Sequence, residues 1–370
     1  MTVHFRDLSQ GRLGLYKFAG LDKRLDQYRF ILDFIPKFPK LQLTSFEFLT
    51  IHMEFANVFY AVPVIVSKFE GWSHPDTAKL YAYSEESCDH SLREVSENET
   101  VSHNGSFAAC GGLYSGWIYP SGNIDRIKVV ADFYSAWAFI DDLIDNSTDM
   151  TYVSDLLETL KARVAGSPQG HQGLDFMHRL FTHEGWHPEA LRLTKQEMDL
   201  WRHCTIALRK IEAEKRTVSV DEYLIYRRTN SAMNIMHIVL SFTNPELTNE
   251  FLKFNEFASD TMRRVFSYCG ITIAIVLDLY KLNADHAQIC EYSHIAKIIQ
   301  NNSTTPMSLP EAVGRSIDIF QEYEEMLGVE LEQVATLSPI LAKAMENVHT
   351  GSIIWLEVMR GRRYVKKADA

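Results

Sequence analysis

The sequence predicts an all-α protein, a bundle of about ten to twelve helices. Three observations carry this reading. Almost every periodic segment repeats its apolar residues at helical spacing. Strand-like alternation bounded by turn signals is scarce. Helix-start signatures recur where the periodic runs begin.

Taken in order, residues 1–60 differ in flavour: Pro36 and Pro39 punctuate an apolar, aromatic stretch with blurred periodicity. They are read as an N-terminal extension packing on a main domain of residues 61–370. Residues 96–123, with Gly105, Gly111, Gly112, Gly116 and Gly122, read as a long irregular connection. Helical patterns then run over roughly 126–144, 153–164, 187–213, 220–242, 246–280, 309–328 and 337–360. Ser219 before Val-Asp-Glu, Asn244-Pro245-Glu246 and Ser308-Leu309-Pro310-Glu311 supply caps and a proline in the first turn. Breaks at 166–172, 183–188 and 301–308 are short loops, not linkers, and there is no internal repeat.

Composition narrows the function. Of 370 residues, 46% are apolar and 23% charged, so a large core can be buried. The formal charge is −11 with no long Lys/Arg run, which argues against a nucleic-acid partner. A polyanionic substrate would therefore need cations gathered locally or imported as metal ions. The five cysteines include no Cys-x-x-Cys, so neither a disulfide framework nor a zinc site is expected. No apolar run reaches the ~18 residues of a membrane helix, and no secretory leader opens the sequence; a cytoplasmic protein is expected. Dinucleotide, Walker, zincin and nucleophile-elbow motifs are absent.

The chemistry concentrates in Ala131–Asn146, an apolar helix ending in Asp141, Asp142 and Asp145. Asp141 and Asp145 are four apart and share a face, while Asp142 sits about 100° away. Like charges at that spacing repel, and a helix C-terminus disfavours anions. A cation removes the conflict, and oxygen-only ligands suit Mg²⁺, which keeps waters and bridges to substrate phosphates. Tyr134 and Trp137 lie upstream on the face of Asp141 and would form a π-rich wall beside the metal, with Phe133 and Phe139 as further wall candidates. A solvated acidic helix end with an ordinary aromatic core is the alternative reading of this stretch alone.

This Asp-Asp-x-x-Asp at the end of an aromatic helix resembles the first metal motif of class I terpene synthases, closest to the microbial-type single-domain enzymes. Gly112-Leu-Tyr-Ser-Gly-Trp-Ile-Tyr-Pro120 and His74-Pro75-Asp76 extend the resemblance, which runs over about 62–366. It implies the class I terpenoid synthase bundle around a central apolar cavity open at one end, a small isoprenyl diphosphate of fifteen or twenty carbons as substrate, Mg²⁺ as two or three ions, and homodimers as a family habit. Tyr223–Ser231 resembles the diphosphate-sensing element before a kinked central helix. By that spacing Arg227 matches the sensor, Asn230 the linker and Ser231 the effector, with Arg228 as a neighbour able to take the sensor role. Arg363-Tyr364 resembles the terminal Arg-Tyr pair that closes over the diphosphate.

The second metal motif departs from the pattern. The family has Asn, Ser and Glu where this sequence has Leu277, Lys281 and Asp285. These are spaced i, i+4, i+8 on one face, so the geometry is kept and the chemistry changed. In one reading Lys281 replaces the third Mg²⁺, pairs with Asp285 and points its charge at the diphosphate, with Asp278 recruited as an extra ligand. In the other, metal binding is crippled and the protein is a weak or silent isoprenyl-diphosphate binder. A chain-elongating prenyltransferase would need a second Asp-rich motif, and a purely structural helical protein would show no magnesium-dependent stabilisation.

Overall fold

The computed structural model describes residues 2–7, 12–17, 52–55, 58–61, 65–86, 111–167, 174–257, 259–282 and 291–363. The chain divides into two units, Met1–Glu70 and Gly71–Ala370, a boundary later than the expected residue 60.

The first unit holds two antiparallel hairpins. Strand β1 (Thr2–Asp7) pairs with β2 (Arg12–Lys17), and β3 (His52–Phe55) with β4 (Val58–Ala61). Val3 faces Tyr16 across the first ladder and Phe5 faces Gly14. Each strand offers only two or three alternating apolar positions, too few to stand out as periodicity.

The second unit is all helix among its described residues, as expected. Its helices are α1 (Thr77–Glu86), α2 (Gly111–Ile118), α3 (Ile124–Asn146), α4 (Met150–Ala165), α5 (Leu174–Thr182), α6 (Pro188–Ala213), α7 (Val220–Asn230), α8 (Met233–Thr243), α9 (Thr248–Phe257), α10 (Ser259–Lys281), α11 (Ile295–Asn302), α12 (Leu309–Leu337) and α13 (Pro339–Arg363). The expected caps form. Ser219 accepts from the Glu222 N–H, and Ser308 and Glu311 make a reciprocal capping box. Asn123 accepts from the N–H groups of Asp125 and Arg126 and fixes where α3 begins. No helix among the described residues is long and apolar enough to cross a membrane.

Two expectations need correction. The glycine-rich stretch is not irregular throughout, because Gly111–Ile118 forms α2, all eight residues buried. Its glycines serve close packing: a Cβ on Gly112 would lie 1.9 Å from the Leu80 carbonyl of α1. The pattern over 220–242 is not one helix. Ala232 takes a left-handed conformation, φ 64°, and separates α7 from α8. Such a residue costs roughly 1–2 kcal/mol. It is held by the Ser231 N–H donating to Arg227 O at 2.9 Å and the Ala232 N–H donating to Thr229 O at 3.0 Å.

His74-Pro75-Asp76 is a clip. The His74 N–H donates to Gly116 O at 2.7 Å, and its ring Nε2 donates to Gly122 O at 3.1 Å. One short element thereby ties the start of α1 to both ends of the α2–α3 connection.

Candidate functional site

A cavity opens between α2, α3, α6, α7, α8, α10 and α13; with its mouth it holds about 930 Å³ of empty space. Helix α3 supplies one wall through Tyr134, Trp137, Ala138, Asp141 and Asp145. These lie at i, i+3, i+4, i+7 and i+11, one continuous helix face. The phase explains a correction: Phe133 and Phe139 do not line the cavity. One residue off Tyr134 and two off Trp137, they point into the core, 0% and 1% exposed. Phe133 braces the wall from behind, meeting Trp137 edge-on at 5.0 Å and Phe181 at 5.7 Å.

The apolar end is aromatic. Trp137 stands edge-on to Trp201 with ring centroids 5.0 Å apart. Trp201 is oriented by its Nε1–H, which donates to Asn230 O at 2.9 Å. Tyr114 packs at 4.6 Å from Trp355 and 5.0 Å from Tyr134. Its hydroxyl meets Ser352 Oγ at 3.0 Å, while the Tyr134 hydroxyl is bonded to that of Tyr119. Burial raises the pKa of Tyr134 and of Tyr119, so both hydroxyls stay neutral. Met233, Met236, Ile273 and Leu277 complete the lining.

Exposure rises toward the carboxylate end. Trp137 is 7% exposed, whereas the Asp145 and Lys281 side chains are 22% and 19% exposed. Asp141 and Asp145 are in the wall; Asp142, half-buried, is not. The α3 terminus is pinned by Arg209, whose Nη2 donates to Ser147 O.

Arg227 closes the polar end from α7. Its Nη2 donates to Asp278 Oδ1 at 2.6 Å, with the two side chains 9% and 5% exposed, and its Nη1 donates to Asn230 Oδ1. Asn230 also donates to Thr205 Oγ1 at 2.9 Å and so fixes the guanidinium to α6. Burial works against the Arg227 charge, but Asp278, Tyr223 and Asp145 more than offset it and its pKa is raised. Gly270 makes this junction feasible, since a Cβ there would sit 2.1 Å from the Arg228 carbonyl. Arg228 itself is exposed and outside the cavity, while Asn230 and Ser231 line it.

Asp278 has work other than ligation. Its carboxylate accepts from Arg227, from the Tyr223 hydroxyl and from the Ile295 N–H at 3.1 Å. Burial would raise its pKa, yet Arg227, His294 and these donors hold it below the usual carboxylate range. The expectation of an extra metal ligand here gives way to a buried counter-ion for Arg227. Leu277 and Lys281 share the cavity face as the spacing required. Lys281 Nζ donates to Asp145 Oδ2 at 2.9 Å, across from α10 to the end of α3. Asp285, Tyr364 and the side chain of Arg363 lie outside the described residues.

Among the described residues no group of three His, Cys, Asp or Glu side chains is gathered as a metal cage. Asp141 and Asp145 nonetheless fit an ion that takes one or two carboxylates and fills its shell with water and phosphate oxygens, the habit of Mg²⁺. Sequence reasoning missed Tyr114, Trp201 and Arg209. Trp201 belongs to a readable apolar stripe, Ala190, Thr194, Met198, Trp201, Thr205, Leu208, but a stripe does not say which part of it meets a cavity.

The sequence matches the family model described as terpene synthase family 2, C-terminal metal binding, over residues 132–325. The fold is similar to hedycaryol synthase in complex with HEPES, with a TM-score of 0.63 and 14% identity over 81% of this chain and 99% of that one. It is similar to the SVS_A2 protein from ancestral sequence reconstruction, with a TM-score of 0.64 and 14% identity over 83% and 92%. A variant of cucumene synthase gives a TM-score of 0.63 and 13% identity over 81% and 100%. No curated protein matches the sequence.

Proposed function

Because the chain belongs to terpene synthase family 2, we propose that it is a cyclase that ionises a linear C15 or C20 isoprenyl diphosphate and closes the resulting allylic cation into a ring. The observation that carries this reading is one helix face on which an aromatic wall runs into paired carboxylates, Tyr134 and Trp137 below Asp141 and Asp145. It puts an apolar chamber and an anion-managing end in a single cavity.

In the proposed reaction the allylic C–O bond breaks heterolytically and diphosphate leaves with the electron pair. Mg²⁺ held by Asp141 and Asp145, with Asp142 beside them, would neutralise charge on the leaving group. Arg227 offers its fork to phosphate oxygens from a fixed position. Lys281 brings an ammonium to the same end, and Arg363 and Tyr364 are proposed to join it from the C-terminus. Trp137, Tyr134, Trp201 and Trp355 present π faces to the migrating cation and exclude water that would quench it. Loss of a proton or capture of one water ends the cascade.

The second reading, a silent isoprenyl-diphosphate binder, is favoured by one observation. Lys281 already occupies an oxygen of Asp145, and Leu277 offers nothing to a metal. Incubating the protein with C10, C15 and C20 diphosphates and Mg²⁺ separates the two. One dominant cyclic product by gas chromatography, with matching diphosphate release, supports the cyclase. Thermal stabilisation by substrate without release supports the binder.

A further inference from the structure

Among the described residues four hydroxyls line the cavity, those of Tyr114, Tyr134, Ser231 and Ser352. The direction of each proton follows from its neighbours. Ser352 Oγ donates to Val348 O at 2.7 Å and Ser231 Oγ to Arg228 O at 3.3 Å; a carbonyl only accepts, so both protons point into the backbone. With its own proton committed, Ser352 accepts from the Tyr114 hydroxyl 3.0 Å away, and Met236 Sδ is a second acceptor for that proton. Tyr119 stands behind the wall, 1% exposed, and donates to Met236 O at 3.0 Å. Turned the other way, its oxygen would set lone pair against lone pair across that distance. Its oxygen is therefore the acceptor in the Tyr119–Tyr134 bond, and the Tyr134 proton points out of the cavity.

All four protons are thus claimed by the walls, and the hydroxyl oxygens meet the chamber as acceptors. Tyr134 is the one set farthest from the leaving-group end on its helix. It precedes Asp141 by seven positions, about 10 Å along α3. It is also backed by an undivided chain of oxygens, from Tyr134 to Tyr119 to the Met236 carbonyl. A proton taken up at Tyr134 shifts the protons already in that chain toward the carbonyl and spreads the charge along it. Tyr114 has a similar chain through Ser352, but its proton is divided between Ser352 Oγ and Met236 Sδ, so its oxygen is held less firmly. Burial keeps Tyr134 and Tyr119 neutral, so the acceptor is a phenol lone pair and not a phenolate. A phenol is a feeble base toward ordinary acids, yet a C–H beside a carbocation centre is acidic enough for it to take.

We propose that Tyr134 is the base that ends the cascade, taking a proton from the carbon next to the final cationic centre, so that the product leaves as an olefin and not as an alcohol. The inference rests on the cyclase reading for its reaction. In this step the C–H bond adjacent to the cationic carbon breaks, its electron pair becomes the C=C bond, and the proton bonds to Tyr134 Oη. The proton that Tyr134 held moves to Tyr119 Oη, and that of Tyr119 to Met236 O. The surplus proton passes to water when the chamber opens to release the product, and the hydroxyls return to their starting directions. Tyr119 touches no substrate in this scheme; it is a positioning residue that keeps the Tyr134 proton turned away from the chamber.

The test compares full-length wild type, Tyr134→Phe, Tyr119→Phe and Tyr114→Phe, with thermal melts to check folding. Products are resolved by gas chromatography, and oxygen-18 water marks any alcohol formed by water capture. Wild type gives an unlabelled olefin. In Tyr134→Phe the share of that olefin falls about tenfold against other olefins and labelled alcohol, a modest part of what a general base supplies; Tyr119→Phe moves the ratio the same way by less. A second readout needs no turnover. The protein is titrated, with inorganic diphosphate and Mg²⁺, with a protonated dimethylamine carrying a C15 isoprenyl chain and with its trimethylammonium counterpart, which has no N–H to donate. Wild type prefers the amine by about tenfold, the strength of one hydrogen bond to a charged group, and Tyr134→Phe brings the two to parity. A labelled alcohol as the main wild-type product, an unchanged product ratio in folded Tyr134→Phe, or a ratio moved by Tyr114→Phe alone overturns the assignment, as does equal binding of the two cations by wild type. An amine preference that depends on Tyr134, with no hydrocarbon formed, would sink the cyclase reading and leave the acceptor standing.

Discussion

Replacing Asp278 with asparagine tests whether this residue is a counter-ion or a ligand. The substitution keeps the shape but removes the charge opposite Arg227, whose side chain is 9% exposed. It also weakens acceptance from Tyr223 and from the Ile295 N–H. Breaking one side of a buried, hydrogen-bonded pair costs about 3–5 kcal/mol. A body of this size melts roughly 2 °C lower for each kcal/mol. The metal-free protein should therefore lose about 6–10 °C in Tm by calorimetry. The pH dependence follows from the lowered pKa. The contribution of Asp278 is complete above the unfolded carboxylate value of about 3.9 and is lost as pH falls through its lower folded value. Asp278→Asn should flatten that acid limb. A Tm change under about 2 °C without metal would refute the reasoning and return Asp278 to the list of ligands.

Lys281→Ser removes the ammonium paired with Asp145; if the lysine acts as a tethered cation, kcat falls about 10²-fold, the loss typical of one charge-stabilising group. A sharp rise in activity, with or without Leu277→Asn, would show that the lysine obstructs the site. His237 is fully buried, with Nδ1 donating to Met233 O at 2.6 Å, and burial pushes its pKa down to about 4. The unfolded chain takes up the proton first, so stability present above pH ~6.5 is lost toward pH ~4, by about 3 kcal/mol, and His237→Gln should flatten that window in pH-dependent denaturation. Gly270→Ala places a methyl 2.1 Å from the Arg228 carbonyl; it should cost about 1–3 kcal/mol and weaken diphosphate binding, read by denaturation and titration. Trp137→Ala removes the ring between Phe133 and Trp201 and should lower stability by about 3–5 kcal/mol while broadening the product mixture on gas chromatography.

Much of the α3 wall was legible because helical phase is a strict rule. Once Asp141 and Asp145 mark a face, Tyr134 and Trp137 must share it. The same rule, applied more strictly, would have removed Phe133 and Phe139. Ala232 was hidden because nothing in its chemistry announces a left-handed residue; its conformation is imposed by packing around Ser231 and the Thr229 carbonyl. The hairpins were hidden by their shortness. For Lys281 the sequence offered Asp285, four residues away, whereas the described structure pairs it with Asp145, 136 positions distant. Arg209 could not be found by pattern, since what marks it is a bond to the Ser147 carbonyl, 62 positions away.

Helix α3 is also a ruler. From Tyr134 to Asp145 the lining residues span eleven positions, about 16 Å at 1.5 Å per residue. A straight helix offers its face in increments of one turn, about 5.4 Å. Moving bulk from Tyr134 to Val130 or Ala131, one turn deeper, would lengthen the chamber by one such increment rather than by a continuous amount. Chain-length preference in a site built this way would change in steps along the graduations of a single rod, and the rod's zero mark is its carboxylate end.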